Sequence, residues 1–268
     1  MLNKNYNMII TKLQGGLANQ LFQWAYGKYL SEKYNTSLYL DIDFYQSQFG
    51  VTQRSFSLHK FTNLNYDLLP KNISIPNLIT LSDNFNFQEL NYDSNLNYYL
   101  NGYWQSEKYF YQIEDIIRNQ LKPSDDVIKK LESIQRLDNK NVSIHIRRTD
   151  YVSSNGFHPV QSISYYENAL NKISEYENIL VFSDDIQWCK DNLHFNNMIF
   201  IEGFDDVEDI WLMSMCKNNI IANSSFSWWG AWLNSNKDKK VIAPKKWFGS
   251  MANLNESDLI PDNWIRID

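Results

Sequence analysis

Residues 142–151 read V-S-I-H-I-R-R-T-D-Y, a stretch that combines an apolar run with a cluster of charge. The run at 142–146 predicts a buried strand, so Arg147, Arg148 and Asp150 follow where that strand ends. The chain as a whole carries a formal net charge of -6. Two arginines at one strand end therefore indicate a local site for an anionic ligand.

Downstream of this stretch, predicted strands alternate with predicted helices. The strands are at 179–182, 198–201, 219–222 and 240–243, and the helices are at 164–176, 186–192, 207–216 and 227–234. This alternation predicts a parallel sheet with helices on both faces, in which ligands bind beyond the carboxyl ends of the strands. Polar groups follow three of the strands, as R-R-T-D at 147–150, S-D-D at 183–185 and N-S-S-F at 223–226.

The first part of the chain predicts a second α/β domain. A strand at 8–13, a Gly15-Gly16 turn, a helix and a strand at 37–41 form a βαβ unit. Residues 61–100 predict irregular connections with short strands, and helices are expected at 106–120 and from there to about residue 134, interrupted near Pro123. The predicted domains are residues 1–125 and 126–268.

Composition excludes several classes of protein. With 268 residues, 43% hydrophobic and 21% charged, the chain is typical of a globular protein with a large core. The acidic balance argues against general nucleic-acid or anionic-membrane binding. Two cysteines without metal-ligand spacing suit a reducing compartment, and no apolar run predicts a membrane span or signal segment, so a cytoplasmic protein is expected. Nine Trp, 17 Tyr and 15 Phe exceed ordinary packing needs and could stack on sugars.

The candidate residues also have structural interpretations. Adjacent residues of an extended segment face opposite ways, so Arg147 and Arg148 cannot both hold one ligand in the same manner, and one of them is expected to be structural. An arginine suits a diphosphate, but an interdomain salt bridge with Asp150 or another carboxylate fits equally well. The N-S-S-F-S stretch at 223–227 precedes a helix and predicts either an anion site or ordinary helix capping. Trp228, Trp229 and Trp232 are expected in the core.

Three further groups are less specific. Gly15 and Gly16 lack the spacing of a phosphate-binding loop and predict a tight turn that a second substrate could approach. Asp184 and Asp185 could bind a metal, a ribose or the edge of guanine, with one of them capping the next helix. Adjacent aspartates do not form the usual D-x-D metal motif, so no obligatory metal is expected. His145 and His158 are either acid/base groups or structural.

Taken together, these motifs resemble the bacterial α-1,2-fucosyltransferases of glycosyltransferase family 11. The resemblance extends along nearly the whole chain, in the same order and spacing. It rests on five segments: G-G-L-A-N-Q-L-F-Q at 15–23, G-Y-W-Q-S-E-K-Y-F at 102–110, H-I-R-R-T-D-Y at 145–151, F-S-D-D-I-Q-W-C at 182–189 and N-S-S-F-S-W-W-G-A-W-L at 223–233. The third and fifth segments together are the specific ones.

The resemblance implies a GT-B-like α/β fold of two facing Rossmann-like domains with parallel sheets, an acceptor-side domain at 1–125 and a GDP-fucose-binding domain at 126–268. It implies inverting, metal-independent transfer of L-fucose from GDP-fucose, a co-substrate, with no cofactor. Arg147 would hold the β-phosphate, with His145 and Asp150 beside it as catalytic residues. The remaining residues implied for the donor are Asp185 or Asp184 at guanine and Asn223, Ser224, Ser225 and Phe226 at the diphosphate; those for the acceptor side are Gly16, Asn19, Gln20, Tyr103, Trp104 and Gln105.

The acceptor expected from the resemblance is the 2-hydroxyl of a terminal β-galactoside, in an oligosaccharide or a lipid-linked glycan. A lipid-linked acceptor would allow peripheral association with the inner face of the cytoplasmic membrane. Some relatives in the wider group carry a glutamate base shortly after the H-x-R-R-x-D element, whereas residues 151–158 here contain no carboxylate. Asp150 is the candidate base, or leaving-group stabilisation carries the reaction. The alternatives are transfer from another GDP-sugar and a non-catalytic nucleotide or glycan binder.

Overall fold

A computed structural model describes residues 7–48, 52–132, 140–154 and 156–268. The chain divides into two compact units. The first contains the described residues up to Lys122 together with Ser257–Pro261, and the second contains the described part of Pro123–Glu256 with Asp262–Asp268. The sequence alone predicted residues 126–268 as one domain. The structure differs from this prediction because Ser257–Pro261 belong to the first unit. Hydrogen bonds account for it: Asp258 accepts from Lys108 Nζ and from the Phe87 backbone N–H.

The first unit is built on a parallel sheet of five strands. The strands are β1 (Met8–Lys12), β2 (Ser37–Asp41), β3 (Asp67–Leu68), β4 (Leu78–Ser82) and β5 (Asn97–Asn101), in the order β3-β2-β1-β5-β4. Helix α1 (Leu17–Tyr34) joins β1 to β2 and confirms the predicted βαβ unit. The stretch at 61–100 supplies three of the strands. Its asparagine-rich composition concealed β5, where the Asn97 side chain bonds the backbone of Met8 and Pro76.

Helix prediction was less accurate around residues 106–134. The segment expected to be one helix starts as two 3-10 turns, Glu107–Tyr109 and Tyr111–Ile113, and only then becomes α2 (Glu114–Leu121). The break lies at Phe110, whose φ of -148° is not helical. Helix α3 (Asp125–Glu132) follows Pro123, and the predicted extension to residue 134 lies outside the described residues.

The second unit contains a parallel sheet of six strands. These are β6 (Val142–Ile146), β7 (Ile179–Ser183), β8 (Met198–Phe200), β9 (Asn218–Ile220), β10 (Val241–Pro244) and β11 (Ile265–Ile267), in the order β11-β10-β9-β6-β7-β8. All five residues of β6 are buried, as expected for a central strand covered on both faces. The predicted strands are confirmed, whereas β11 was not predicted.

Besides α3, the second unit contains five described helices that lie between these strands. They are α4 (Thr149–Ser153), α5 (Ile163–Leu170), α6 (Ile186–Asn192), α7 (Asp206–Ser214) and α8 (Ser225–Leu233). Helix α4 was not predicted, and α5 ends six residues before the predicted end at residue 176. Its last turn closes through a hydrogen bond from the Ile173 N–H to the Leu170 carbonyl, so Ile173 still reaches the core.

Tryptophan packing and one amide network hold α8 against the sheet. The rings of Trp228 and Trp229 are fully buried and lie 5.3 Å apart, which confirms the predicted core role of this cluster. Beneath α8, Asn219 donates to Ser143 Oγ and to the Met213 carbonyl, both at 2.7 Å, and accepts from Asn234 Nδ2 at 2.8 Å. A buried amide is stabilising only when it is satisfied in this way, because an unpaired one loses its bonds to water.

Helix α7 begins with an unusual concentration of acidic residues. Asp205 and Glu208 form a capping box at its N-terminus. Asp209 lies behind them, and its Oδ1 atom is buried without a hydrogen-bond partner among the described residues. Burial raises the pKa of Asp209 to about 7, and the charges of Asp205, Asp206 and Glu208 act in the same direction. This carboxyl group therefore opposes folding when it is ionised.

We expect Asp209→Asn to stabilise the second unit at neutral and alkaline pH. The folded pKa exceeds that of an unfolded aspartate, so the wild type loses stability as the pH rises from about 4 through 7. The advantage of the variant should grow over that window to about 4 kcal/mol at pH 8, because each unit by which the folded pKa is raised corresponds to about 1.4 kcal/mol. Urea unfolding followed by circular dichroism at pH 4, 6 and 8 measures it. An advantage that does not change with pH would contradict the prediction.

Candidate functional site

The carboxyl ends of β6 and β7 bring the first charged cluster together. The two strands are parallel neighbours in a register that pairs Ile146 with Ser183, so the residues that follow them lie side by side. Arg147 donates from its Nη2 to Asp150 Oδ1 at 2.7 Å, and its Nη1 lies 3.1 Å from Asp184 Oδ2. Its guanidinium carbon lies 5.4 Å from the centre of the Tyr151 ring. Arg147 is thus a cation between two carboxylates.

Arg148 has a different set of partners. Its guanidinium carbon lies 3.6 Å from the centre of the Trp188 ring, and its Nε donates to Asp185 Oδ2 at 3.1 Å. Both partners belong to the start of α6. The two arginines therefore point to different neighbours, as expected for adjacent residues at a strand end, and Arg148 is the one held in place by packing. The sequence allowed an interdomain salt bridge between an arginine and Asp150. The bridge that forms joins Arg147 to Asp150 within the second unit.

Asp184 and Asp185 divide their roles. Asp185 is the N-cap of α6 and accepts from the Trp188 N–H at 3.3 Å. Asp184 accepts from the Arg148 backbone N–H at 2.9 Å and from the Thr149 hydroxyl. One aspartate of the pair therefore caps the following helix, as the sequence indicated. Guanine recognition by either residue stays a prediction.

His145 lies behind the charged cluster. Its side chain is 4% exposed, its Nδ1 lies 2.9 Å from Ser227 Oγ, and its ring packs against Phe226. Burial lowers the pKa of His145 to about 3, and the positive charge of Arg147 acts in the same direction. The imidazole is therefore neutral at physiological pH. This environment favours a positioning role over the catalytic role that the resemblance implied.

The N-S-S-F segment begins α8 beside this cluster, because β9 is the neighbour of β6. Ser224 is the N-cap and accepts from the Phe226 N–H at 3.3 Å. Asn223 is 1% exposed; it donates to the Trp247 carbonyl and accepts from Gln161, so its amide holds loops together. Both ends of the amide are engaged within the protein, and a contact of Asn223 with the donor stays a prediction. Ser225 and Phe226 are partly exposed in the first turn of the helix.

In the first unit, four of the six predicted acceptor-side residues are partly exposed. Asn19 Oδ1 accepts from Gln105 Nε2 at 2.8 Å, and Gly16 is the N-cap of α1 without a side-chain cap. Tyr103 is partly exposed, and its backbone N–H donates to Asp83 Oδ2. These side chains therefore retain some exposure at the start of α1 and in the loop after β5.

Two predicted acceptor-side residues are buried instead. Gln20 has no exposed surface, and its amide bonds the carbonyls of Gly15 and Ser55 and the N–H of Ser57. Trp104 is 4% exposed and packs against Tyr26 with 4.8 Å between ring centres. Tertiary packing therefore places both side chains in the core, and the acceptor-side role that the resemblance implied for them stays a prediction.

Sequence comparison identifies the family. Residues 54–268 match glycosyl transferase family 11. The chain is 36% identical to an α-1,2-colitosyltransferase of Escherichia coli, over 98% of this chain and 99% of that protein. The chain belongs to glycosyltransferase family 11. The O-antigen biosynthesis glycosyltransferase WbnK of Escherichia coli, 34% identical over 95% of this chain and 99% of its own length, is a further relative of this glycosyltransferase.

Structural comparison agrees with the expected fold class. NodZ α-1,6-fucosyltransferase from Bradyrhizobium superimposes on the glycosyltransferase with a TM-score of 0.54. The alignment covers 85% of this chain and 92% of NodZ at 13% sequence identity, a level that shows the fold alone. The predicted GT-B-like class, with two parallel-sheet α/β domains, is thereby confirmed.

The described part of the glycosyltransferase contains no group of three or more His, Cys, Asp or Glu side chains placed to hold a metal ion. Of the two aspartates considered as possible metal ligands, Asp184 pairs with Arg147 and Asp185 pairs with Arg148. No described helix has the length and apolar character needed to span a membrane.

Sequence reasoning missed three contacts of the site. Tyr151 lies beneath Arg147 and donates its hydroxyl to the Asn223 carbonyl at 3.0 Å, and Trp188 stacks on Arg148. Thr149 bonds Asp184. Tyr151 and Thr149 belong to the H-I-R-R-T-D-Y segment, so their position in the motif was the available signal. Trp188 lies in the F-S-D-D-I-Q-W-C segment, but its partner could not be read from the sequence, because the contact requires α6 to pack beside the end of β6.

We expect His145 to make the second unit less stable in acid. Its folded pKa lies below that of an unfolded histidine, so the stability it contributes is complete above pH 6.5 and is lost as the pH falls toward 3. The loss should approach 1.4 kcal/mol per pH unit for this one proton. His145→Asn should therefore show a shallower decline between pH 6.5 and 4.5 in urea unfolding.

The matched control is Ser227→Ala, which removes the hydroxyl beside the imidazole but keeps the titrating group. It should lower stability and retain the wild-type pH slope. Equal slopes for wild type and His145→Asn would contradict the neutral, buried state of the imidazole.

Proposed function

We propose that this family 11 glycosyltransferase transfers L-fucose from GDP-fucose to the 2-hydroxyl of a terminal β-galactoside, with inversion at the anomeric carbon. The observation that carries the proposal is the Arg147 guanidinium at the carboxyl ends of β6 and β7. It offers fixed positive charge where a parallel sheet binds its ligand, in a chain of net charge -6.

The relatives support both the sugar and the linkage. One is named an α-1,2-colitosyltransferase, and a Caenorhabditis elegans relative, 28% identical over 62% of this chain and 51% of its own length, is named a galactoside 2-α-L-fucosyltransferase. The NodZ crystal was soaked with GDP-fucose. Fucose and colitose are both 6-deoxy sugars, so a 6-deoxy hexose is the kind of sugar that these names share, and the GDP part of the proposed donor comes from the NodZ structure.

The proposed chemistry requires stabilisation of a leaving diphosphate. The bond between the anomeric carbon and the β-phosphate oxygen breaks, and its electron pair stays on the phosphate. Arg147 neutralises that charge through two parallel N–H donors, and the first turn of α8 adds N–H groups next to Ser224. No metal and no cofactor take part in this mechanism, because the guanidinium and the helix dipole supply the charge that a cation would provide.

Asp150 is the proposed general base. Its side chain is 35% exposed, whereas the neutral His145 is buried and hydrogen-bonded to Ser227. In the present structure Asp150 pairs with Arg147. A diphosphate that engages Arg147 would compete for this pair and free the carboxylate to take the proton of the acceptor hydroxyl, whose oxygen then bonds to the anomeric carbon.

A second candidate is the transfer of colitose or another sugar from its GDP derivative, which the 36% identical relative favours. A non-catalytic binder would show affinity without turnover. The acceptor is proposed to be an oligosaccharide or a lipid-linked glycan, and the proposed location is cytoplasmic, with peripheral association at the inner membrane face if the acceptor is lipid-linked.

The deciding experiment is incubation with GDP-fucose, GDP-colitose or GDP-mannose and a panel of galactosides, followed by linkage analysis of the product. Transfer of fucose to the 2-hydroxyl of a terminal β-galactoside, unchanged by EDTA, is expected. Release of GDP only from GDP-colitose would favour the second candidate. Complete loss of activity in EDTA, restored by Mg²⁺ or Mn²⁺, would overturn metal-independent transfer.

Arg147→Ala should lower turnover by roughly a hundredfold to a thousandfold, since it removes a positioned partner of the leaving charge. Arg147→Lys should recover only part of the loss, because an ammonium group cannot donate two parallel bonds. The matched control is Arg148→Ala, which should lower the unfolding midpoint by removing the Trp188 contact but reduce turnover by less than about tenfold. Reversal of this order would make Arg148 the diphosphate ligand.

Asp150→Asn separates a base from a positioning residue. If Asp150 is the base, turnover should fall more than about a hundredfold while GDP affinity stays near the wild-type value. If it only orients Arg147, both quantities should fall together, because the arginine then loses contacts in the ground state and transition state alike. Calorimetry with GDP and product release measured on the same preparation give the two numbers.

A further inference from the structure

Two loops of the second unit meet beside the Arg147 and Asp150 pair. The first contains Gly156–His158, and the second contains Trp247–Met251. Two backbone hydrogen bonds join them: the Gly249 N–H donates to the Phe157 carbonyl at 2.8 Å, and the Met251 N–H donates to the Gly156 carbonyl at 3.0 Å. The Trp247 and Phe248 N–H groups both donate to Glu256 Oε2, so the second loop is held at its own base as well.

The first loop is tied directly to the candidate site. Ser154 donates its hydroxyl to the Asp150 carbonyl at 2.7 Å, and the His158 N–H donates to the Ser154 carbonyl at 2.8 Å. The His158 ring stacks on Tyr151 with 4.6 Å between centres and 11° between planes. Tyr151 also lies under the Arg147 guanidinium. The Tyr151 ring therefore contacts both this loop and Arg147, the residue proposed to bind the diphosphate.

The loops present three rings, Phe157, His158 and Phe248, that we call the aromatic platform. Phe157 contacts His158 at 4.7 Å and Phe248 at 6.2 Å between ring centres. Phe157 nevertheless remains 41% exposed, and the neighbouring Met251 is 78% exposed. Because Phe157 and Met251 are neighbours, they form a continuous exposed apolar surface, and such a surface is more typical of a place that meets a ligand than a single exposed ring would be.

The chemistry of the platform suits a sugar better than a nucleobase or an anion. None of the three rings carries a charge at neutral pH, since burial lowers the pKa of His158. His158 Nδ1 is buried and has no hydrogen-bond partner among the described residues, so this nitrogen adds no polar group to the exposed face of the platform. Aromatic faces pack against the C–H groups of a pyranose, and a few placed polar atoms orient it.

We propose that the aromatic platform binds the pyranose of the nucleotide sugar and selects 6-deoxy hexoses. This inference rests on the proposed function, which puts the diphosphate at Arg147. A methyl group at C6 can lie against Phe157 and Phe248, whereas a C6 hydroxyl there would lose its hydrogen bonds to water. Discrimination of about tenfold to a hundredfold between the two kinds of sugar is the size expected of an apolar surface.

The test is calorimetric binding of GDP, GDP-fucose and GDP-mannose to the wild type, Phe157→Ala, Phe248→Ala and the double variant. GDP affinity should stay within about twofold, because the rings do not meet the nucleotide. GDP-fucose affinity should fall about fivefold or more in the double variant, and the preference for GDP-fucose over GDP-mannose should shrink. Phe157→Tyr, which keeps the ring face, should retain the wild-type preference.

The matched control is Tyr111→Ala, an aromatic residue that is 55% exposed in the first unit, which should change none of the three affinities. An unchanged ratio of GDP-fucose to GDP affinity in the double variant would overturn the platform and leave the proposed function intact. Failure of the wild type to bind any GDP compound would overturn the proposed function, and the platform would fall with it. A parallel loss of GDP and GDP-fucose affinity would show that the loops only support Arg147 and would also overturn the platform.

Discussion

The ion pairs of Arg147 with Asp150 and Asp184 are the constraint on which the second unit depends. A guanidinium that is only 19% exposed needs compensating charge, and both carboxylates come from the residues that follow β6 and β7. Each partner is held in turn: Asp150 by the short helix α4, and Asp184 by the Arg148 N–H and the Thr149 hydroxyl. A permanent positive charge is therefore kept at the carboxyl ends of β6 and β7.

The residues behind this cation are arranged to keep it in place. The neutral imidazole of His145 adds no second positive charge, and its hydrogen bond to Ser227 links the strand that ends at Arg147 to helix α8. The tryptophan cluster of α8 and the Asn219 amide network fix that helix on the sheet. The uncharged state of His145 and the satisfied hydrogen bonds of the buried polar groups both hold Arg147 in a fixed, preorganised position.

In the first unit, a contact with a carboxylate likewise fixes the loop after β5. Trp104 adopts a φ of 55°, a left-handed conformation that is unusual for a tryptophan. The Asp83 carboxylate holds this loop by accepting from the N–H groups of Tyr103 and Trp104. A side chain at Gly102 would meet Asp83, with Cβ only 2.1 Å from the aspartate Cβ, so glycine is required for this approach. The conformation of the loop is thereby determined by backbone contacts with Asp83 rather than by the aromatic side chains of Tyr103 and Trp104.

The sequence by itself determined the alternation of strands and helices, the parallel sheets and the position of charge at strand ends, because these features depend on local periodicity and on residues close together in the chain. It could not assign partners. Whether Arg147 or Arg148 faces Asp184 depends on the register of β6 against β7, and whether Trp104 or Gln20 is exposed depends on contacts with residues far away in sequence. The strands β5 and β11 were recognisable only once their neighbours supplied hydrogen bonds. Only the tertiary structure decided these points, since burial, register and desolvation arise from packing between distant segments.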